Sequence, residues 1–367
     1  MSIDVLHLLP SLSLYGGTPR KIRDLIQHSH RKHAIYCWAK WDKDDASIDF
    51  DEEFRKCGIP VFPGRHGQNL ALHLKEISKI ISKENIKVVH GYFETGLLLS
   101  AASKILNRHL ATAVSFVGFP ADGLSSMFCN QLSRYIDEVV YVSNYTRKTF
   151  ETKYPQLKKR SGRIIYNGVK YRHPIAKISQ QHSGINAIAV SGLVDWKNIQ
   201  VLIHAIALIS RKSHPIEITL SIIGDGPMRE ALENLAVTLN ITNQIKFHGY
   251  QEDIGAHLVS SHIYLHPSLK EGFGIAVPEA MLAGLAVAVA NAGALPELIE
   301  NRQTGLIVNN PKSPSEWAEA ILLLAQDEEL RLKLGHAATA SALSRFSMDR
   351  FSIEHESLYT SLISQKT

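Results

Sequence analysis

The stretch His262–Glu297, HIYLHPSLKEGFGIAVPEAMLAGLAVAVANAGALPE, decides how the rest of this chain is read. It opens on a short apolar run, Ile263–His266, with the length and composition of a buried strand. Pro267 and Ser268 break that run, and a loop follows with Glu271, Gly272, Phe273 and Gly274. The Ala-rich segment Ile275–Leu282 then reads as a helix that stops at Gly284, and Leu285–Ala290 as a second buried strand. A glycine turn between a strand end and a helix start leaves backbone N–H groups pointing outward, at the positive end of the helix dipole. That arrangement suits a phosphate. Gly272 and Gly274 have no β-carbon, so a ligand can approach the backbone there.

Two carboxylates frame the loop. Glu271 precedes the first glycine, and Glu279 lies eight positions on, inside the helix. Both would repel a bound diphosphate, so they are better suited to accept hydrogen bonds from sugar hydroxyls on either side of it.

The same alternation of apolar runs and amphipathic stretches continues in both directions. Val5–Leu9, Ala34–Trp38, Val61–Phe62, Val88–His90, Ala113–Val117, Val139–Val142 and Ile164–Tyr166 read as strands, with helical patterns such as Pro19–His28, Leu70–Lys83 and Gly96–Leu106 between them. A polar stretch without periodicity, YRHPIAKISQQHSG, begins at Tyr171. Beyond it Ile188–Val190, Ile218–Ile223, Ile245–Phe247, Ile263–His266, Leu285–Ala290 and Leu306–Val308 read as six further strands, separated by helices such as Ile199–Ile209 and Met228–Leu239. Strands alternating with helices imply parallel sheets covered on both faces, with ligands at the carboxyl ends of the strands. The expected layout is an α/β chain with a first domain over 1–172, a linker over 173–184 and a second domain over 185–345. The segment 346–367 reads as an amphipathic C-terminal helix.

At 367 residues the chain is long enough for two domains, each with its own core. Its three cysteines, Cys37, Cys57 and Cys129, lie far apart, which excludes a disulfide framework or zinc ribbon and points to a reducing compartment. No basic-then-apolar leader opens the sequence and no apolar run reaches membrane-spanning length, so a cytoplasmic location is expected. Charge is uneven. Residues 1–172 hold 26 Lys and Arg against 16 Asp and Glu, while 173–367 hold 14 against 19. The basic excess is densest over Arg147–Arg172, which suggests attraction to an anionic membrane surface or a lipid-linked acceptor. Nothing resembles a helix that reads DNA or an aromatic RNA platform, so nucleic acid is not an expected partner.

Embedded in HPSLKEGFGIAVPEAMLAGLAVAVANAGALPE, the Glu-x7-Glu pair resembles the donor-binding signature of retaining glycosyltransferase family four, the glycosyl transferases of group one. The segment IIGDGPMREALENLA resembles the second-domain motif of the same family. Its Gly224-Asp225-Gly226 run imitates a dinucleotide fingerprint, but Arg229 stands where the third glycine belongs. The resemblance implies the GT-B fold, two Rossmann-like parallel-sheet domains facing each other across a cleft. It also implies that the C-terminal helix crosses back to the first domain. By position, Lys197 matches the lysine that pairs with the donor phosphates, and Gly16 and Gly17 the glycine loop against the diphosphate. Tyr250 matches the nucleobase pocket, Glu279 the glutamate on the ribose, and Glu271 the one facing the transferred sugar. The loop Gly272, Phe273, Gly274 and Ile275 holds the donor. No metal or other cofactor is implied.

Three positions depart from the family pattern. Gly192 stands where an arginine is usual, Ala286 replaces a proline, and Val117 occupies the place of a histidine that reaches the sugar. His90, ending the fourth strand, is the nearby substitute. The implied function is transfer of a sugar from a nucleotide-diphosphate donor to an acceptor hydroxyl, with retention, in bacterial-type surface polysaccharide or glycolipid assembly. The acceptor is then a glycan or a lipid-linked molecule, with the enzyme peripheral on the inner face of the cell membrane. The alternative is a non-catalytic homologue that binds a nucleotide sugar or glycan and scaffolds a partner.

Overall fold

A computed structural model describes residues 3–12, 17–38, 50–64, 69–121, 124–170, 184–211 and 217–366. Gly16 and nearly all of the linker expected at 173–184 lie outside the described residues. The chain forms two compact units, Met1–Gly168 with Met348–Thr367, and Val169–Ser347.

The first unit contains seven parallel strands: β1 (Val5–Leu9), β2 (His33–Cys37), β3 (Val61–Pro63), β4 (Val88–Tyr92), β5 (Ala111–Phe116), β6 (Glu138–Tyr141) and β7 (Ser161–Ile164). Their order across the sheet is β3-β2-β1-β4-β5-β6-β7. Every residue of β1, β2, β4, β5 and β6 is buried, which is why these strands read as continuous apolar runs rather than alternations. β7 departs from the expected Ile164–Tyr166. It starts at Ser161, because an edge strand is half exposed and tolerates the polar run SGRI, where Arg163 pairs with Glu138 of β6 at 3.2 Å. The helix Met348–Ser364 lays Phe351, Leu358, Tyr359 and Leu362 into a core shared with Val5, Val88 and Ala111.

The second unit holds six parallel strands, β8 (Gly184–Val190), β9 (Glu217–Ile223), β10 (Ile245–Gly249), β11 (Ile263–His266), β12 (Ala286–Ala290) and β13 (Leu306–Val308). Their order is β10-β9-β8-β11-β12-β13. β8 begins four residues before the expected Ile188, since its first half alternates buried and half-exposed positions and lacks an apolar run. Each unit is thus a Rossmann-like parallel sheet. In each, the chain runs outward from a central strand, returns beside it, and runs outward the other way. Between β8 and β11 the two directions part, leaving room for a ligand at the carboxyl ends.

Among the described residues, no helix is long and apolar enough to cross a membrane.

Candidate active site

The loops that follow β8 and β11 meet where the strand order reverses. The β8 loop carries Lys197 in a short 3-10 turn, Asp195–Lys197, closed by Asn198 in the left-handed conformation at φ 56°. Asparagine tolerates that conformation, and here its side chain repays the bend. The amide of Asn198 donates to the Pro267 carbonyl at 3.2 Å and to the Pro311 carbonyl at 2.9 Å. The Leu269 N–H donates to the Trp196 carbonyl at 2.8 Å. These bonds hold the two loops together, and across them Lys197 Nζ lies 2.5 Å from Glu271 Oε2.

Glu271 is fixed from behind as well. Its carbonyl accepts the Ala294 N–H at 3.0 Å, and a β-carbon on Gly293, at φ 59°, would run into that same carbonyl. Its Oε2 lies 3.2 Å from His266 Nε2. The other ring nitrogen of His266 lies 2.9 Å from the Tyr264 hydroxyl, and Ser268 Oγ is 3.2 Å from Nε2. Tyr264 and His266 sit two residues apart on β11, hence on one face. A line of polar groups therefore runs Tyr264–His266–Glu271–Lys197.

Burial alone would raise the pKa of Glu271, but the His266 hydrogen bond and the Lys197 charge outweigh it and bring it down to about 2. His266 is pushed the other way: burial lowers its pKa against the pull of Glu271, so the ring is neutral near pH 7. Burial, and then the charges of Glu279 and Glu271, keep the Tyr264 phenol protonated well above the usual range. Ionised Glu271 can only accept, so the proton of the neutral ring sits on Nε2 facing it, and Nδ1 accepts from the Tyr264 hydroxyl.

The remaining expected residues fall as follows. Glu279 is partly exposed within the helix Ala276–Leu282. Tyr250 follows β10 with 42% of its surface exposed, and Gly17 starts the helix Gly17–His28 behind β1. Gly274 and Ile275 are partly exposed at the helix start, while Gly272 is buried. The Phe273 side chain is turned into the core. It is 3% exposed and packs edge-on against Phe346 with ring centroids 5.8 Å apart, so only its backbone can reach a ligand. Gly192 is exposed, and a β-carbon built there meets nothing nearer than the Asp225 carbonyl at 3.9 Å. Gly224, which imitated a nucleotide fingerprint, is needed because a β-carbon would strike the Ser191 carbonyl.

His90 is a correction. It has no exposed surface, and its ring nitrogens lie 2.8 Å from Tyr359 Oη and 2.8 Å from Ser115 Oγ. It stacks on Tyr92 at 4.7 Å between centroids. β4 runs two residues past the expected end, so His90 lies in the middle of the strand, turned into the core, and no sugar can reach it there. At the carboxyl end of β4 the exceptional residues are instead Phe93, at φ 61°, and the buried Glu94, which accepts the Ala121 N–H at 2.6 Å.

In the sequence Ile263–His266 reads only as a buried strand, a reading that misses Tyr264 and His266. The signal was present: two polar aromatic side chains at a spacing of two within a wholly buried run, just ahead of the loop. Among the described residues, no group of three or more His, Cys, Asp or Glu could hold a metal ion.

Residues 15–172 match the family model described as Glycosyltransferase Family 4, and residues 176–341 the one described as Glycosyl transferases group 1. The N-acetyl-alpha-D-glucosaminyl L-malate synthase of Bacillus anthracis is 25% identical over 308 residues, covering 79% of this chain and 78% of its own. A GDP-mannose-dependent alpha-(1-6)-phosphatidylinositol monomannoside mannosyltransferase of Mycobacterium tuberculosis is 25% identical over 334 residues, 84% of either chain. The D-inositol 3-phosphate glycosyltransferase of Corynebacterium efficiens reaches 32% identity, though over 47% of this chain and 41% of that one. Among solved structures, Anabaena Alr3699/HepE in complex with UDP superposes with a TM-score of 0.83 at 21% identity, over 98% of this chain and 100% of that one. A glycosyltransferase from Rickettsia africae gives 0.81 at 19% identity, over 99% of both. The two parallel-sheet units are those of the GT-B class.

Proposed function

Because the chain belongs to glycosyltransferase family 4, the group 1 glycosyl transferases, we propose that it moves a sugar from a nucleotide-diphosphate donor to an acceptor hydroxyl with retention at the anomeric carbon. The observation that supports this most is the Lys197–Glu271–His266 cluster, an ammonium and an ionised carboxylate at the carboxyl ends of β8 and β11. In the transfer, the bond from the anomeric carbon to the diphosphate oxygen breaks and a bond to the acceptor oxygen forms. The difficulty is the negative charge that grows on the departing diphosphate. Lys197, a compact charge on a flexible stem, is placed to swing from Glu271 onto that diphosphate. The amides at the start of the helix Ala276–Leu282 add their dipoles. One well-aimed donor in a comparable oxyanion site is worth about 3–4 kcal/mol. Glu271, released from Lys197, faces the hydroxyls of the transferred sugar, and Glu279 those of the ribose. No metal is required in this reading.

The acceptor class we favour is a polysaccharide or glycolipid precursor; the mycobacterial relative is named for a lipid-linked acceptor, phosphatidylinositol monomannoside, and the corynebacterial one for a soluble acceptor, D-inositol 3-phosphate. Within the basic stretch, Lys148, Lys158 and Lys159 are exposed, whereas Arg147 pairs with Glu151 and Arg163 with Glu138. Each lysine near an anionic bilayer contributes about 1 kcal/mol. A Lys148→Glu, Lys158→Glu, Lys159→Glu variant should therefore leave anionic vesicles at low salt while still binding nucleotide. Wild type with no preference for anionic over neutral vesicles would point to a soluble acceptor.

The decisive experiment is a screen of nucleotide sugars, uridine donors first since the Anabaena neighbour holds UDP, for thermal stabilisation and then for nucleoside diphosphate release with acceptors. Stabilisation without release in the presence of any acceptor would favour the second reading, a binding protein without transfer. That reading takes its support from Gly192, which removes one of the two cations expected at the diphosphate.

A further inference from the structure

Resting on that reading of Glu271, we propose that His266 is a positioning residue, backed by Tyr264, that keeps the Glu271 carboxylate aimed and ionised while Lys197 serves the diphosphate. Lys197 and His266 converge on the same oxygen, Oε2, at 2.5 and 3.2 Å. The lysine reaches it on a long stem from the β8 loop and can turn away. The imidazole cannot. It stands on β11, 3% exposed, with its ring held between the Tyr264 hydroxyl at 2.9 Å and Ser268 Oγ at 3.2 Å.

Tyr264 has no exposed surface. The ionised Glu271 can only accept, which puts the hydrogen of the neutral ring on Nε2, and the Tyr264 phenol donating to Nδ1 then holds that tautomer. When Lys197 turns to the donor, His266 becomes the fixed partner of a carboxylate whose side chain is only 15% exposed. Without it the carboxylate would rotate or take up a proton, because an unpaired buried charge is costly. The direction of the pKa shifts agrees: burial pushes Glu271 up, and the His266 hydrogen bond is the first of the contributions that bring it down.

The contrast with His90 separates this arrangement from ordinary core packing. His90 spends both nitrogens on neutral hydroxyls alone, whereas Nε2 of His266, besides the Ser268 hydroxyl, also faces the charged residue of the site.

The test is steady-state kinetics against pH, using the donor and acceptor of highest turnover, for wild type, His266→Phe, His266→Gln and Tyr264→Phe. His266→Phe removes a hydrogen bond to a charged group and should lower kcat about 10- to 100-fold, with a much smaller change in donor KM. The acid limb of kcat, which reports the donor complex in which Lys197 has turned away, should move to higher pH. The active form needs ionised Glu271, and losing the donor lets burial raise its pKa. His266→Gln, whose amide N–H reaches the place of Nε2, should recover most of the rate. Tyr264→Phe should move the acid limb the same way with a loss of about 3- to 10-fold, and it stands in if His266→Phe does not fold. Variants with the wild-type acid limb, or a loss that follows only melting temperature and is not recovered by Gln, would overturn the inference alone. A wild type that transfers sugar from no donor overturns the reading of the site, and this inference with it.

Discussion

The first unit buries His7, His33, His90 and His355 beside Tyr92 and Tyr359, and the second buries His266 beside Tyr264. In the first, His7 Nε2 lies 2.9 Å from His33 Nδ1, His7 Nδ1 3.1 Å from Tyr92 Oη, and His33 Nε2 2.7 Å from Ser29 Oγ. Ser29 and Arg31 then meet Glu356 of the C-terminal helix. His355, from that helix, spends Nδ1 on the Phe351 carbonyl. The network joins β1, β2 and β4 to the helix Met348–Ser364 and is consumed within the protein. In the second unit the same residue types end on an ammonium–carboxylate pair at two loops. Burial holds the histidines neutral in both places. What separates glue from site is where the last partner lies: in the first unit on a helix, in the second on a loop at a strand reversal.

The largest expected effect tests the open end of that comparison. Lys197→Ala should cost about 2.7–4 kcal/mol in transition-state stabilisation, roughly 100- to 1000-fold in kcat, with donor affinity changed less. Nucleoside diphosphate release measured at saturating donor checks it, and equal turnover removes Lys197 from the mechanism. The closed network should answer to acid instead. Burial lowers His33 to about 4 and His355 to about 3 and holds His7 and His90 well below the usual histidine range, while Glu356, Asp4, Arg31, Lys21 and Arg350 adjust the individual values. These folded values lie below the unfolded one of about 6.5, so the unfolded chain binds more protons in between. Stability is therefore complete above pH 6.5 and is lost as pH falls toward 4, by on the order of 3 kcal/mol for His33 alone. Hydrogen exchange at pH 7 and 4.5 should show β1, β2, β4 and the C-terminal helix loosening before β8, β11 and β12. Uniform loosening of both units would break the comparison.

Glu279→Ala should weaken nucleoside diphosphate binding by about 1.5–3 kcal/mol without lowering the melting temperature of the free protein, as calorimetry can read. Unchanged affinity would take Glu279 off the ribose. The smallest effect is a gain. Gly192 is open and its backbone needs no glycine, so Gly192→Arg should fold normally and tighten diphosphate binding by about 0.5–1 kcal/mol, a few-fold. A variant that binds no better would show that the side chain cannot reach the phosphates from there.

Periodicity and punctuation made much of this chain legible. Thirteen strands were read and thirteen strands are found among the described residues, since strands buried on both faces must be apolar throughout. The exceptions, β7 and the first half of β8, are half-exposed strands whose polar residues hide the pattern. Local chemistry likewise marked the loop at Glu271-Gly272-Phe273-Gly274, because glycines between a strand and a helix announce themselves without any partner. Which side chains meet is a different kind of information. Lys197 finds Glu271 across 74 positions, and His90 finds Tyr359 across 269. A hydropathy pattern records which face of each element is buried, one element at a time. The order of strands in a sheet, set by packing among all of them, chooses the neighbour. That is why two histidines of buried strands, alike in sequence, end as a sealed core residue in the middle of β4 and as the partner of a charged loop at the end of β11.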